Sequence, residues 1–143
     1  MTIDLAVVYD KIKQQNIDYT TEESLFMLNV EFSHLLSLLW SKTKRTTTDS
    51  YRMFLLSECA KYLMYATLAS NVDIAVVAKE VNDAYGEFKK EIKSVNIDEI
   101  ITSFIPEIPM QFGSTDRFAL ACWLCELVTG CNWSQIIDSQ KFE

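Results

Sequence analysis

Residues 25–40, LFMLNVEFSHLLSLLW, set Leu25, Leu28, Phe32, Leu35, Leu36 and Leu39 at helical period. A stripe of this kind belongs on a helix packed into a core, since a strand would need its apolar residues to alternate. Residues 51–70, YRMFLLSECAKYLMYATLAS, make a second segment of the same character. Each segment carries two polar groups spaced i, i+3: Glu31 with His34, and Glu58 with Lys61. That spacing puts both members of a pair on one side of their helix. Ionisable groups in apolar surroundings must find partners or a metal. If the two helices face each other, all four polar groups are expected to meet.

The rest of the chain is consistent with more helices. It has only three Gly and two Pro in 143 residues. Strand-rich folds need many turns, so this scarcity favours long helices joined by few loops. A first helix is expected over residues 3–15, started by Thr2 or Asp4, with Leu5, Val8, Tyr9 and Ile12 on its apolar side. Thr20 and Glu23 form a capping box that opens the second helix, which runs to about Trp40. SKTKRTTTDS then reads as a polar loop, with Asp49 and Ser50 suited to an N-cap.

The third helix is expected from Ser50 to about Ser70, and the fourth over 74–94 after an N-cap at Asp73. Ile74, Val77, Val81, Tyr85 and Phe88 mark the inner face of that fourth helix. A brief helix over 97–104 and an extended connector at Pro106 and Pro109 follow. Another helix runs from Ser114–Asp116 through Thr129 and ends at Gly130; a last short one covers 133–140. The expected fold is all-α, one domain over residues 1–143: a four-helix-bundle core with a C-terminal helical pair.

Charge and hydropathy narrow the function. A net charge of −7 argues against a general nucleic-acid binder, which needs a cationic surface to displace counterions. No apolar run reaches the length needed to cross a bilayer, so no membrane partner is expected. MTIDLAVVYDKIK lacks a basic lead followed by an apolar stretch, so no secretory signal is expected. The four cysteines then read as reduced thiols of a cytoplasmic protein.

VEFSHLL and SECAKYLMYATLAS resemble the all-α nucleoside triphosphate pyrophosphohydrolases, the superfamily of MazG-like proteins and dimeric dUTPases. Trp40-Ser41-Lys42-Thr43-Lys44 is similar to the aromatic-plus-lysine helix end of phage dimeric dUTPases, and Tyr65 fits the aromatic continuation of the next helix. LCELVTGCNWSQIIDSQKFE is similar to a helical pair late in those enzymes, so the resemblance covers residues 3–70 and 118–143. It implies Glu-x-x-Glu on one helix and Glu-x-x-Asp on the next, four carboxylates that hold Mg²⁺. The matching positions here are Glu31, His34, Glu58 and Lys61. It also implies a homodimer, dUTP or another nucleoside triphosphate as ligand, and base contacts from Gln14 or Gln15. Trp40, Lys42, Lys44 and Tyr65 complete the implied substrate-binding set.

Two of the four carboxylate positions depart from that pattern. Mg²⁺ takes hard oxygen ligands in near-octahedral geometry. Imidazole at His34 softens the site, and ammonium at Lys61 puts a positive charge where the ion belongs. Counting two glutamates, one lysine and a neutral histidine, the cluster carries about one negative charge. The family's basic C-terminal segment has no visible counterpart before Glu143.

The expectation is a dUTPase-like or MazG-like protein with a degraded metal site, non-catalytic or weakly active, which acts by binding a nucleotide or a regulatory protein partner. The alternative is an active Mg²⁺-dependent pyrophosphohydrolase. There Glu31 and Glu58 hold the ion, His34 serves as base, and Lys61, Lys42, Lys44 or Arg45 neutralise phosphate charge.

Other motifs have simpler readings. Cys122 and Cys125 form a Cys-x-x-Cys, but within an apolar helical run and with no second such pair, so they are expected in the core. Lys42, Lys44 and Arg45 complement the dipole at the end of the second helix. Tyr51, Tyr62, Tyr65 and Trp40 read as core aromatics ahead of a base-stacking platform.

Overall fold

The computed structural model describes residues 3–16, 18–40, 49–93, 114–130, 132 and 133. Among the described residues the chain forms five helices and no strand. They are α1 (Ala6–Lys13), α2 (Thr21–Trp40), α3 (Asp49–Ala69), α4 (Ile74–Glu91) and α5 (Ser114–Thr129). The fold is an all-α bundle. The loop over 41–48, the expected helix over 97–104, the Pro106–Pro109 connector and the last helix beyond Trp133 lie outside the described residues.

Local chemistry sets the helix ends. Asp4 Oδ1 accepts from the Ala6 N–H at 3.0 Å at the start of α1. The capping box forms in both directions: Glu23 N–H donates to Thr20 Oγ1 at 3.1 Å, and Thr20 N–H donates to Glu23 Oε1 at 3.4 Å. Two otherwise orphaned amides are thereby satisfied. Asp73 caps α4 by accepting from the Ala75 N–H at 2.9 Å.

After α3 the chain turns at Asn71, whose φ of 55° is left-handed. Asn71 N–H donates to the Leu68 carbonyl and Val72 N–H to the Thr67 carbonyl, both at 3.2 Å. This is a Schellman ending with asparagine in the place usually held by glycine. Gly130, at φ 72°, plays that part after α5.

The bundle is assembled around α3. It packs along α2 and also meets α1 and α5, while α5 packs along α4. In α5 the whole run Phe118–Cys125 is buried, so this helix has no polar face over two turns. Polar groups in the core are satisfied locally. Ser24 donates to the Thr20 carbonyl at 2.9 Å, Ser57 to Met53 at 3.0 Å and Thr67 to Leu63 at 2.8 Å.

Distant parts of the chain are also tied by polar contacts. The Asn82 side chain on α4 accepts from the Ile3 N–H at 2.6 Å and donates to the Ile3 carbonyl at 2.9 Å. Trp133 Nε1 donates to the Asp4 carbonyl at 2.8 Å. Both contacts hold the segment before α1 against the bundle, with Ile3 and Leu5 buried. No helix among the described residues is long and apolar enough to cross a membrane.

Candidate functional site

The α2–α3 contact sets the position of the two polar pairs. On α2, Leu28 and Leu35 are fully buried and define the line that points into the core. Each residue turns the helix by about 100°, so Glu31 sits about 60° off that line and His34 about 120° off it. Exposure follows the rotation: the Glu31 side chain is 16% exposed and that of His34 is 61% exposed. The expectation that all four groups are buried together is therefore corrected at His34, which points mainly to solvent. Its Nδ1 lies 3.8 Å from Glu31 Oε2.

On α3, Lys61 Nζ lies 2.7 Å from Glu58 Oε2, with side chains 18% and 21% exposed. Among the described residues this is the ion pair of Lys61, and it stays within its own helix. The i, i+3 spacing brings Lys61 to Glu58 within α3. Lys61 Nζ also lies 4.9 Å from the centre of the Tyr62 ring, a cation–π contact.

The carboxylates of the two helices share neighbours. Burial pushes the Cys59 thiol well above its ordinary value; Cys125, then Glu31 and Glu58, push it further. Burial likewise pushes the Tyr62 hydroxyl up to about 12, with Tyr19, Glu58 and Glu31 adding to the shift. Glu31 and Glu58 thus act on the same two side chains, Cys59 and Tyr62, at the α2–α3 seam.

Tyr62 is part of an aromatic group with Tyr19 and Tyr65, at ring-centre separations of 5.8, 5.6 and 6.1 Å. Tyr65 donates its hydroxyl to Gln15 Oε1 at 3.0 Å. Gln15 is therefore the glutamine that reaches α3, while Gln14, one residue and about 100° earlier, is exposed. Tyr19 was hidden in the sequence, because it stands in the break between two helices and belongs to no periodic pattern.

The remaining expected contacts have varied outcomes. Tyr62 and Tyr65 are buried, whereas Tyr51 is 49% exposed and stacks on Phe54, so Tyr51 is not a core residue. The Trp40 side chain, Lys42, Lys44 and Arg45 lie outside the described residues. Cys59, Cys122 and Cys125 are buried, as expected of core cysteines. Burial pushes the Cys122 thiol well up, which keeps it protonated and a poor nucleophile.

The residues present do not fit a divalent ion. Glu58 is engaged by an ammonium, and His34 faces solvent. Among the described residues no three His, Cys, Asp or Glu side chains converge as a metal-binding group.

Tyr62 makes the seam sensitive to alkali. An unfolded tyrosine loses its proton near the ordinary value of 10.0, and folded Tyr62 keeps its proton to about 12. Its contribution to stability is fully present below pH 10 and is lost as pH rises through about 12. A titration of tyrosinate absorbance run beside circular dichroism should show the last tyrosines ionising as the helices melt, and Tyr62→Phe should shift that melting upward in pH. A fully folded protein with all its tyrosines ionised at pH 11 would contradict this.

Comparison with protein-family models, with curated proteins and with solved structures finds no match to this chain.

Proposed function

We propose that this chain is a MazG-like or dimeric-dUTPase-like protein whose Mg²⁺ site has been lost, and that it acts by binding a nucleotide or a protein partner with little or no catalysis. The observation that carries the reading is the Glu58–Lys61 pair at 2.7 Å on α3, the helix that packs along the Glu31 helix α2. In this reading Glu31 and Glu58 stand for two of the four carboxylates of the family motif, one on α2 and one on α3. A third holds the opposite charge, already paired. With Glu58 engaged and His34 in solvent, there is no open set of hard oxygen ligands to bridge phosphates or activate water.

Tyr19, exposed beside the buried Tyr62 and Tyr65, offers an aromatic edge to a ligand. A homodimer belongs to the reading, since such bundles share a face between subunits.

Calorimetry with dUTP and with a non-hydrolysable analogue, each with and without Mg²⁺, tests the proposal. The expected result is binding heat that does not depend on Mg²⁺, and no pyrophosphate release from dUTP or other nucleoside triphosphates. Mg²⁺-dependent binding together with steady pyrophosphate release would overturn it in favour of an active enzyme that uses Glu31 and Glu58.

A further inference from the structure

We propose that residues 3–5 form an exchangeable strap: the seat they occupy, built from Asn82 and Trp133, takes the same segment from a second copy of this chain. The strap stands before the first residue of α1, and its polar hold comes from far along the chain. Asn82 on α4 accepts from the Ile3 N–H at 2.6 Å and donates to the Ile3 carbonyl at 2.9 Å, so one amide takes both main-chain groups of Ile3. The same amide donates to the Ala78 carbonyl at 2.8 Å, which fixes its orientation. Trp133 Nε1 donates to the Asp4 carbonyl at 2.8 Å, and Trp133 is itself set edge-to-face on Phe118.

Side chains add selectivity. Burial alternates along the strap: Ile3 and Leu5 are 2% and 1% exposed, and Asp4 between them faces solvent. The seat thus reads main chain through bonds that most residues offer, and an apolar side chain on each side of a polar one. Proteins take up a segment of another chain by the same division of labour.

The occupant argued for is a second copy, because Ile3-Asp4-Leu5 is the sequence seen to fit and every copy carries both strap and seat. Exchange remakes the same contacts, so its cost lies at the hinge, and reciprocal exchange gives a closed two-fold pair. The hinge is the start of α1, where the N-cap position falls on Leu5, a residue with no capping side chain.

Two variants of the whole 143-residue chain test this, carrying different fluorescent dyes at their C-terminal ends. Ile3→Ser with Leu5→Ser spoils the strap and leaves the seat. Asn82→Ala with Trp133→Phe removes the seat's three hydrogen bonds to the strap and leaves the strap. Circular dichroism checks the folding of each, and energy transfer reads their association. The mixed pair is expected to associate at least about tenfold more tightly than either variant with itself, since only the mixture brings an intact strap to an intact seat.

Equal affinities for mixed and like pairs of folded variants would overturn the inference. Where a double variant fails to fold, Ile3→Ser alone or Asn82→Ala alone takes its place with the same expectation. The inference does not rest on the reading of the α2–α3 carboxylates, and neither nucleotide nor metal enters its test. A homodimer through another face raises all pairings alike and gives the mixed pair no advantage.

Discussion

Phe118→Ala is expected to lower the unfolding free energy by about 3–5 kcal/mol, the usual cost of deleting a large aromatic side chain from a core. Phe118 is fully buried at the first turns of α5 and meets Trp133 edge-to-face at 5.6 Å. Trp133 in turn bonds the Asp4 carbonyl, so the cavity would open where α5, the segment before α1 and Trp133 come together. Domains of this size are stable by only about 5–15 kcal/mol, so the variant should lose a large share of its margin.

Urea denaturation followed by tryptophan fluorescence measures the effect. Phe26→Ala is the matched control, because Phe26 is 65% exposed on α2 and its loss should change stability by no more than about 0.5 kcal/mol. Equal costs for the two variants would show that α5 does not stand in the core.

The position of Phe118 shows where sequence patterns were informative and where they were silent. α4 was legible because one face is apolar and the other charged; Val77, Val81, Tyr85 and Phe88 are buried as its periodicity required. α5 carries no such contrast. Its eight successive buried residues read only as an apolar run, and neighbours on more than one side make it so. Capping signals transferred well, because they depend on side chains a few residues apart: Thr20 with Glu23, Asp73 with Ala75, and Gly130 after α5.

Long-range polar contacts had no local signal. Nothing in the sequence near Asn82 points to Ile3, 79 residues away. Within the candidate site, the pairing of Glu58 with Lys61 followed from spacing. The outward turn of His34 was not read from the sequence, where all four polar groups were expected to meet; it follows only once Leu28 and Leu35 are known to form the inner line. The part played by Tyr19 depends on how the break between α1 and α2 folds back on α3, and spacing along the chain does not encode that.

His34→Glu with Lys61→Asp is expected to have the second large effect. The two changes replace an exposed imidazole and a paired ammonium by carboxylates, and give Glu-x-x-Glu on α2 and Glu-x-x-Asp on α3. The cluster goes from about one negative charge to about four, which favours Mg²⁺ strongly and costs stability through mutual repulsion in the metal-free protein. Metal should then stabilise the variant by mass action, so that its thermal midpoint rises with Mg²⁺ concentration while that of wild type does not.

The measurement that bears most directly on the central claim, that Glu31, His34, Glu58 and Lys61 occupy the four positions of a lost metal site, is a calorimetric Mg²⁺ titration of this double variant against wild type. The account predicts saturable Mg²⁺ binding in the variant, at least about tenfold tighter than in wild type. A folded double variant that binds Mg²⁺ no better than wild type would contradict it.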